Sequence, residues 1–264
     1  LKELIFSDTR YGNWFEVYKK KPADRQKLIE CIVENKEPSG AYVSLAHLIT
    51  KGYISNIFTT NFDDLINESL MYYLGVRAKV FSQDSQAYYI SVDNKKPNII
   101  KLHGDYLFED LKNTNKETNA LDENMRQKFS EILQKKDLLV LGYGGADNSI
   151  MSILFELKKK QKKDFNLYWC YSDENKLNWR TIDLINSTEY SHCIKINSFE
   201  DFVSKVWLET GIDPVNILST AQKRYISYRE FAKEIKPLGR IEGAIESVNN
   251  PDANKSLRTD MNKL

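Results

Sequence analysis

Cysteine and histidine are scarce in this sequence, with only three of each among 264 residues. The cysteines, Cys31, Cys170 and Cys193, form no Cys-x-x-Cys pair and are too few for a four-cysteine zinc site. We therefore predict that the protein has no zinc or other metal site. Scattered cysteines are typical of cytoplasmic proteins, so we interpret all three as reduced thiols in the core.

Long apolar segments and an excess of one charge are also missing. The longest apolar runs, such as 138–142, have the length of a buried strand and fall far below the ~18 residues of a membrane span. No basic region followed by an apolar core marks a secretory signal. Lys and Arg total 38 and Asp and Glu total 37, and 41% of the residues are hydrophobic. These values argue against a strongly basic nucleic-acid binder and against a disordered chain.

Short apolar runs alternate with helical patterns along most of the chain. Strands are predicted at 54–59, 78–81, 98–102, 138–141, 165–170 and 193–196, and helices at 25–34, 41–50, 63–73, 123–135, 148–159, 173–186 and 199–207. This alternation is typical of βαβ units, and the strand runs lack the polar alternation of a half-exposed sheet. We therefore predict an α/β fold with a Rossmann-like parallel sheet and helices on both faces.

The pattern changes near residue 213, where strands give way to helical and polar segments. We predict one domain over residues 1–212 and a helical C-terminal extension over 213–264, with a helix at 217–235. The extension is a candidate element for oligomerisation or partner docking.

Polar or glycine-rich segments directly follow four of the predicted strands, at 59–64, 103–105, 142–147 and 171–173. The carboxyl ends of parallel strands lie on one edge of a sheet, and open α/β sheets bind their ligands there. The pattern therefore predicts a nucleotide site at this edge.

Some of these residues also have a purely structural explanation. Asn61 and Asp63 stand where a helix begins, and both residue types are good N-caps. His103 precedes a glycine at a strand end and can be a turn residue. The other two histidines, His47 and His192, are interpreted as packing or surface residues.

The glycines of segment 142–147 have two explanations as well. Gly142, Gly144 and Gly145 suit any tight turn from a strand to a helix, but they also let a ligand approach the backbone. The helix predicted from residue 148 would offer its N-terminus to a phosphate, whereas Asp147 also fits plain capping of that helix.

Taken together, three of the segments resemble the sirtuin-like (SIR2-like) domains of bacterial antiphage defence proteins. Thr-Thr-Asn-Phe-Asp at 59–63 is similar to the sirtuin Thr-Gln-Asn-Ile-Asp motif, and Lys-Leu-His-Gly-Asp at 101–105 to the catalytic His-Gly motif. Gly-Tyr-Gly-Gly-Ala-Asp at 142–147 is similar to the Gly-Tyr-Ser-Gly-x-Asp loop of those domains. The similarity runs from about residue 11 to about residue 207, in the family's order.

The resemblance implies NAD as the substrate and assigns roles to single residues. Asn61 would hold the nicotinamide ribose and the attacking water. His103 would hydrogen-bond the ribose hydroxyls and act as the general base, and Asp63 would contact the nicotinamide carboxamide. The remaining positions expected to bind NAD, with the last two near the adenosine ribose, are Thr60, Gly104, Gly142, Gly144, Gly145, Ser172 and Asp173.

The sequence departs from the family pattern in three places. No Gly-Ala-Gly-x-Ser phosphate loop precedes Tyr11, and since the chain opens without Met we expect that segment to be missing from it; the alternative is an unusual pyrophosphate site. Gly144 replaces a serine that often contacts NAD. The four zinc-binding cysteines of deacetylase sirtuins are absent, which disfavours a groove for acyl-lysine.

The resemblance therefore implies an NAD+ glycohydrolase that depletes NAD as the effector of an antiphage system. Activation is expected to need assembly or a trigger, with a homo-oligomer, a HerA-type ATPase or an Argonaute module as possible partners. Two alternatives stay open: a non-hydrolytic module that senses NAD or ADP-ribose and gates a partner, and an NAD-dependent protein deacylase.

Overall fold

The computed structural model describes residues 21–34, 36–105, 123–159, 165–174, 177–187 and 189–211. The chain separates into two units, Leu1–Asp213 and Pro214–Leu264, and every described residue belongs to the first. The predicted C-terminal extension, including its helix at 217–235, lies outside the described residues.

Helices and parallel strands alternate along the described residues. The strands are β1 (Asn56–Thr59), β2 (Lys79–Phe81), β3 (Asn98–Lys101), β4 (Leu138–Val140), β5 (Leu167–Tyr171) and β6 (Ser191–Lys195). The helices are α1 (Pro22–Val33), α2 (Gly40–Thr50), α3 (Leu65–Glu68), α4 (Glu123–Leu133), α5 (Asn148–Lys159), α6 (Trp179–Asn186) and α7 (Phe199–Glu209). A π-helical turn (Ser69–Tyr73) continues α3, and a 3-10 helix spans Asp84–Tyr89.

The strands form two three-stranded sheets in which every pairing is parallel. The first sheet has the order β1-β3-β2 and the second the order β4-β5-β6. In the first, Asn56 of β1 pairs with Asn98 of β3, and Thr59 pairs with Lys101. In the second, Leu138 pairs with Leu167.

Neighbouring residues of one strand face two different hydrophobic clusters. Ile100 of β3 belongs to a cluster with α4 and α5, whereas Ile99 belongs to a cluster with α2 and α7. In β1, Phe58 and Ile57 divide in the same way. Because side chains alternate along a strand, helices must cover both faces of this sheet.

The second sheet shares both clusters with the first. Val140 at the end of β4 packs in the cluster of α4 and α5, and Leu141 packs against the cluster of α2 and α7. Helices therefore lie on both sides of the parallel strands, and the predicted Rossmann-like α/β fold is confirmed.

Hydrogen bonds define the C-terminal end of α2 and the N-terminal end of α6. Gly52, with φ of +85°, follows α2, and the Tyr53 N–H donates to the Leu48 carbonyl as in a Schellman C-cap. This confirms the predicted glycine stop. The helix predicted at 173–186 begins only at Trp179, because the Asn178 side chain caps it by accepting from the Arg180 N–H.

The helix predicted at 63–73 is partly wrong. It starts at Leu65, and its regular part ends at Glu68, where the wider π turn begins. The Ser69 hydroxyl donates to the Leu65 carbonyl at 2.7 Å, a back-bond that tends to bend a helix.

The interpretation of all three cysteines as core thiols is also wrong. Cys170 on β5 is buried, but Cys31 on α1 and Cys193 on the edge strand β6 are exposed. Within the part of the chain that the structure describes, no helix is both long enough and apolar enough to cross a membrane.

Candidate functional site at the edge of the sheet

The pairing of β1 with β3 brings two of the predicted site residues to the same level of the sheet. Thr59 pairs with Lys101, and the Leu102 N–H donates to the Thr59 carbonyl at 2.9 Å. Asn61 and His103 each follow a paired residue by two positions. They therefore leave neighbouring strands at the same edge, as the motifs predicted.

Asn61 is exposed at this edge, while its backbone is held in place. Its N–H donates to the Thr59 hydroxyl at 3.0 Å, which fixes the turn that leaves β1. Within the described residues its side-chain amide makes no hydrogen bond, so this amide is available to a ligand. Thr60, beside it, is half-buried.

Lys101 is a residue of the site to which the sequence analysis assigned no role. Its side chain is 1% exposed, and its ammonium lies 2.8 Å from Asp64 Oδ1 and 2.8 Å from Asp105 Oδ2. The ammonium also donates to the Phe62 carbonyl at 3.1 Å. It thus ties the loop that carries Asn61 to the loop that carries His103. The available signal was a lysine within the apolar run 98–102, where a charge needs partners.

The pKa values of Lys101 and the nearby Asp63 are both raised, but for different reasons. Burial alone would lower the pKa of Lys101, but its hydrogen bonds and charge contacts with Asp105 and Asp64 outweigh this and raise the pKa. Burial raises the pKa of Asp63, although the Leu65 N–H and the charge of Lys101 act in the opposite direction. Asp63 Oδ1 accepts from that N–H at 3.2 Å, so this carboxylate fixes the turn that leads into α3.

His103 lies beside a carboxylate from the second sheet. Its Nε2 atom is 3.6 Å from Asp147 Oδ2, and the two side chains are 12% and 9% exposed. Asp147 stands in the loop between β4 and α5, so this contact joins the two sheets at their carboxyl edge.

Asp147 also occupies the N-terminus of α5, where the sequence predicted either a cap or a phosphate. Its Oδ1 atom accepts from the Ile150 N–H at 3.0 Å and from the Ser149 hydroxyl at 3.1 Å. A carboxylate therefore stands where the sequence suggested a phosphate, and its negative charge disfavours a second anion there. The capping role predicted for Asp147 is therefore observed, and a phosphate at this helix end stays a prediction.

Three of the predicted site glycines have positive φ, as the turn requires. Gly104 has φ of +83°, Gly142 of +68° and Gly145 of +71°. A side chain at Gly142 would meet no atom within 4 Å, so its backbone is open to a ligand. A Cβ atom at Gly145 would collide with Thr181 Oγ1 of α6, so this glycine is needed for packing. Gly144 is half-buried.

The last two predicted positions follow β5 directly. Ser172 is exposed and Asp173 half-buried, immediately after the strand end at Tyr171. The structure thus places every predicted site residue at the carboxyl end of β1, β3, β4 or β5. Across the described ranges, no cluster of three or more His, Cys, Asp or Glu side chains is arranged to hold a metal ion.

This fold and site define a Rossmann-like α/β domain with an amide and an imidazole at the ligand-binding edge. The model of a family described as SIR2-like domain matches residues 55–188. The chain therefore belongs to the SIR2-like domain family, whose members bind NAD. No curated protein matches the chain. At the edge of the sheet, Asn61 is exposed and the backbone of Gly142 is open.

Proposed function

We propose that the chain is an NAD+ glycohydrolase, which splits NAD+ with water into nicotinamide and ADP-ribose. The observation that carries the proposal is the register of β1 and β3, which puts Asn61 and His103 at the same level of the sheet edge in a SIR2-like domain. An amide that holds water and an imidazole that accepts a proton near pH 7 are suited to this reaction.

The reaction breaks the bond between ribose C1′ and the nicotinamide nitrogen. Its electron pair goes to the pyridinium ring, which thereby loses its positive charge, so no acid has to protonate the leaving group. The ribose carbon passes through an oxocarbenium-like state, as in glycoside cleavage. Asn61 holds the water whose oxygen bonds to C1′, and His103 accepts the proton of that water and later releases it to solvent.

Hydrolysis is preferred to protein deacylation because of the cysteine content. Deacetylase sirtuins use four zinc-binding cysteines in the small domain beside the acyl-lysine groove, whereas this sequence has three cysteines in all. The exposed amide of Asn61 also fits an active site open to water.

We further propose that the activity depletes bacterial NAD during phage infection in the cytoplasm. A constitutive NAD hydrolase would kill its host, so assembly or a partner such as a HerA-type ATPase or an Argonaute module would switch it on. The similarity of residues 142–147 to the corresponding loop of antiphage SIR2-like domains supports this part of the proposal. A phage challenge with NAD measured over time tests it: wild type should lose NAD after infection, and Asn61→Ala should not.

Nicotinamide release from NAD+ at several protein concentrations tests the proposed chemistry. Asn61→Ala and His103→Ala should each abolish release. The matched controls Asn186→Ala and His192→Ala, which change exposed residues on α6 and β6, should retain it. NAD+ binding by wild type without release would instead indicate a sensing module, and O-acetyl-ADP-ribose formed from an acetylated peptide would indicate a deacylase. Either result contradicts the proposal.

A further inference from the structure

His103 and Asp147 reach each other from different sheets. His103 follows β3 of the first sheet. Asp147 lies in the loop between β4 of the second sheet and α5. Their Nε2 and Oδ2 atoms are 3.6 Å apart, slightly farther than a hydrogen bond, and both side chains are largely shielded from water. A carboxylate at this distance in a shielded position attracts the proton on the facing ring nitrogen.

The two oxygens of Asp147 have different partners. Oδ1 accepts from the Ile150 N–H and the Ser149 hydroxyl, and so caps α5. Oδ2 accepts from the Tyr143 hydroxyl at 2.8 Å and is the atom that faces His103. The Tyr143 ring lies 5.8 Å from the ring of buried Trp169, so packing against the core helps to place this hydroxyl.

Capping alone does not account for this arrangement. A helix cap needs a single side-chain oxygen, and Asn, Ser or Thr would supply it as well as Asp does. The second oxygen of Asp147 is instead held by Tyr143 and directed at the imidazole. Only a carboxylate can cap α5 with one oxygen and present a second, negatively charged oxygen to the ring nitrogen of His103.

We propose that Asp147 is the positioning residue of His103: it orients the imidazole and keeps the ring proton on Nε2. The other ring nitrogen, Nδ1, then carries no proton. This assignment rests on the proposed hydrolysis for its catalytic meaning. The tautomer itself is a property of the folded chain and can be measured without turnover.

Asp147→Asn separates positioning from capping. The amide oxygen of Asn can still cap α5, but its NH₂ group would donate to Nε2 and move the ring proton to Nδ1. We expect kcat for nicotinamide release to fall by about 100-fold or more, as a wrong tautomer does in serine proteases, while KM for NAD+ changes little. Asp147→Ser keeps a cap oxygen but withdraws the carboxylate, and it should also lower kcat.

The ring tautomer is read from the ¹⁵N spectrum of the whole chain. With three histidines in the sequence, the His103 signals are identified by their loss in His103→Ala. Wild type should show the proton on Nε2, and Asp147→Asn should show it on Nδ1. A role in capping alone would not move this signal.

Ser149→Ala is the matched control, because it removes a hydrogen bond to the capping oxygen and leaves Oδ2 in place. It should lower the melting temperature slightly and keep kcat within about two-fold. The inference is overturned if Asp147→Asn keeps both kcat and the Nε2 tautomer. If wild type releases no nicotinamide but Asp147→Asn still switches the tautomer, the proposed function fails and the His103–Asp147 relationship stands.

Discussion

The ammonium of Lys101 lies 2.8 Å from the carboxylate of Asp64, and this contact joins the end of β3 to the loop that follows β1. Lys101 is 1% exposed and pairs equally closely with Asp105, itself 5% exposed. A buried cation with two carboxylates is costly to form but more costly to leave incomplete, because the remaining charges keep their burial and lose their partner. This relationship makes the geometry of the site sensitive to a residue outside the predicted catalytic pair.

Lys101→Met should lower the free energy of unfolding by about 3–5 kcal/mol, because it leaves the buried Asp105 carboxylate without its ammonium. Chemical denaturation at pH 7 measures the change. Lys136→Met is the matched control, since it breaks a 3.2 Å pair with Asp93 in which both side chains are exposed. The control should cost about 1 kcal/mol or less. Equal losses in the two variants would show that the buried cluster has no special weight.

The stabilisation from Lys101 should disappear at high pH. Its folded-state pKa is raised, chiefly because its contacts with Asp105 and Asp64 outweigh burial, so the folded chain holds this proton more tightly than the unfolded chain does. The contribution is therefore complete below the ordinary lysine pKa of about 10.4 and is lost as pH rises through the folded-state value. The stability difference between wild type and Lys101→Met should stay constant from pH 7 to 9 and shrink above about pH 10.5. A difference that shrinks below pH 9 would contradict this assignment.

Gly145 and Gly142 should differ in their tolerance of alanine although both have positive φ. Gly142→Ala meets open space and should cost only the strain of the left-handed backbone, about 1–2 kcal/mol. Gly145→Ala adds a collision with Thr181, which is 0% exposed, and should cost about 1–3 kcal/mol more. Thermal unfolding measures both.

A double mutant separates the collision from the backbone strain. In the background of Thr181→Ala, which removes the Oγ1 atom, the cost of Gly145→Ala should fall towards that of Gly142→Ala. An unchanged cost would mean that the contact with Thr181 does not limit the position.

Cys170 should be the slowest thiol to react in the folded chain. Burial raises its pKa to about 11, so little thiolate forms at pH 8, whereas Cys31 and Cys193 are exposed. Titration with a thiol reagent at pH 8 should therefore label two cysteines per native chain and three after denaturation. Peptide mapping should place the protected thiol at Cys170. Rapid labelling of all three in the native chain would contradict the burial of β5.

The fold was largely predictable because the strands are buried on both faces. The run 98–102 has no polar alternation, and in the structure Ile99 and Ile100 face two different clusters of side chains. Strand β6 was harder to place because it is an edge strand that is held by backbone pairing with β5. The hydrophobicity of its side chains does not reveal such pairing. The prediction of 193–196 therefore missed the start at Ser191.

The candidate site was predictable only where it depends on local position. Asn61 and His103 were found because they follow strands, and the parallel pairing then brings their loops to one edge. The contacts of Lys101 with Asp64 and of His103 with Asp147 join residues that are 37 and 44 positions apart. No local pattern contains such contacts. Asp147 was therefore seen only as a possible cap, a role that accounts for one of its two oxygens.

The pairing of Thr59 with Lys101 also determines which changes in chain length the site can absorb. One residue inserted or deleted within β1 or β3 would shift one loop against the other by about 3.3 Å and exchange the two faces of the strand. The helices that cover both faces leave no room for such an exchange. Among natural or engineered variants, insertions and deletions are therefore expected in the connections before β1 and β3. They are not expected between β1 and Asn61 or between β3 and His103.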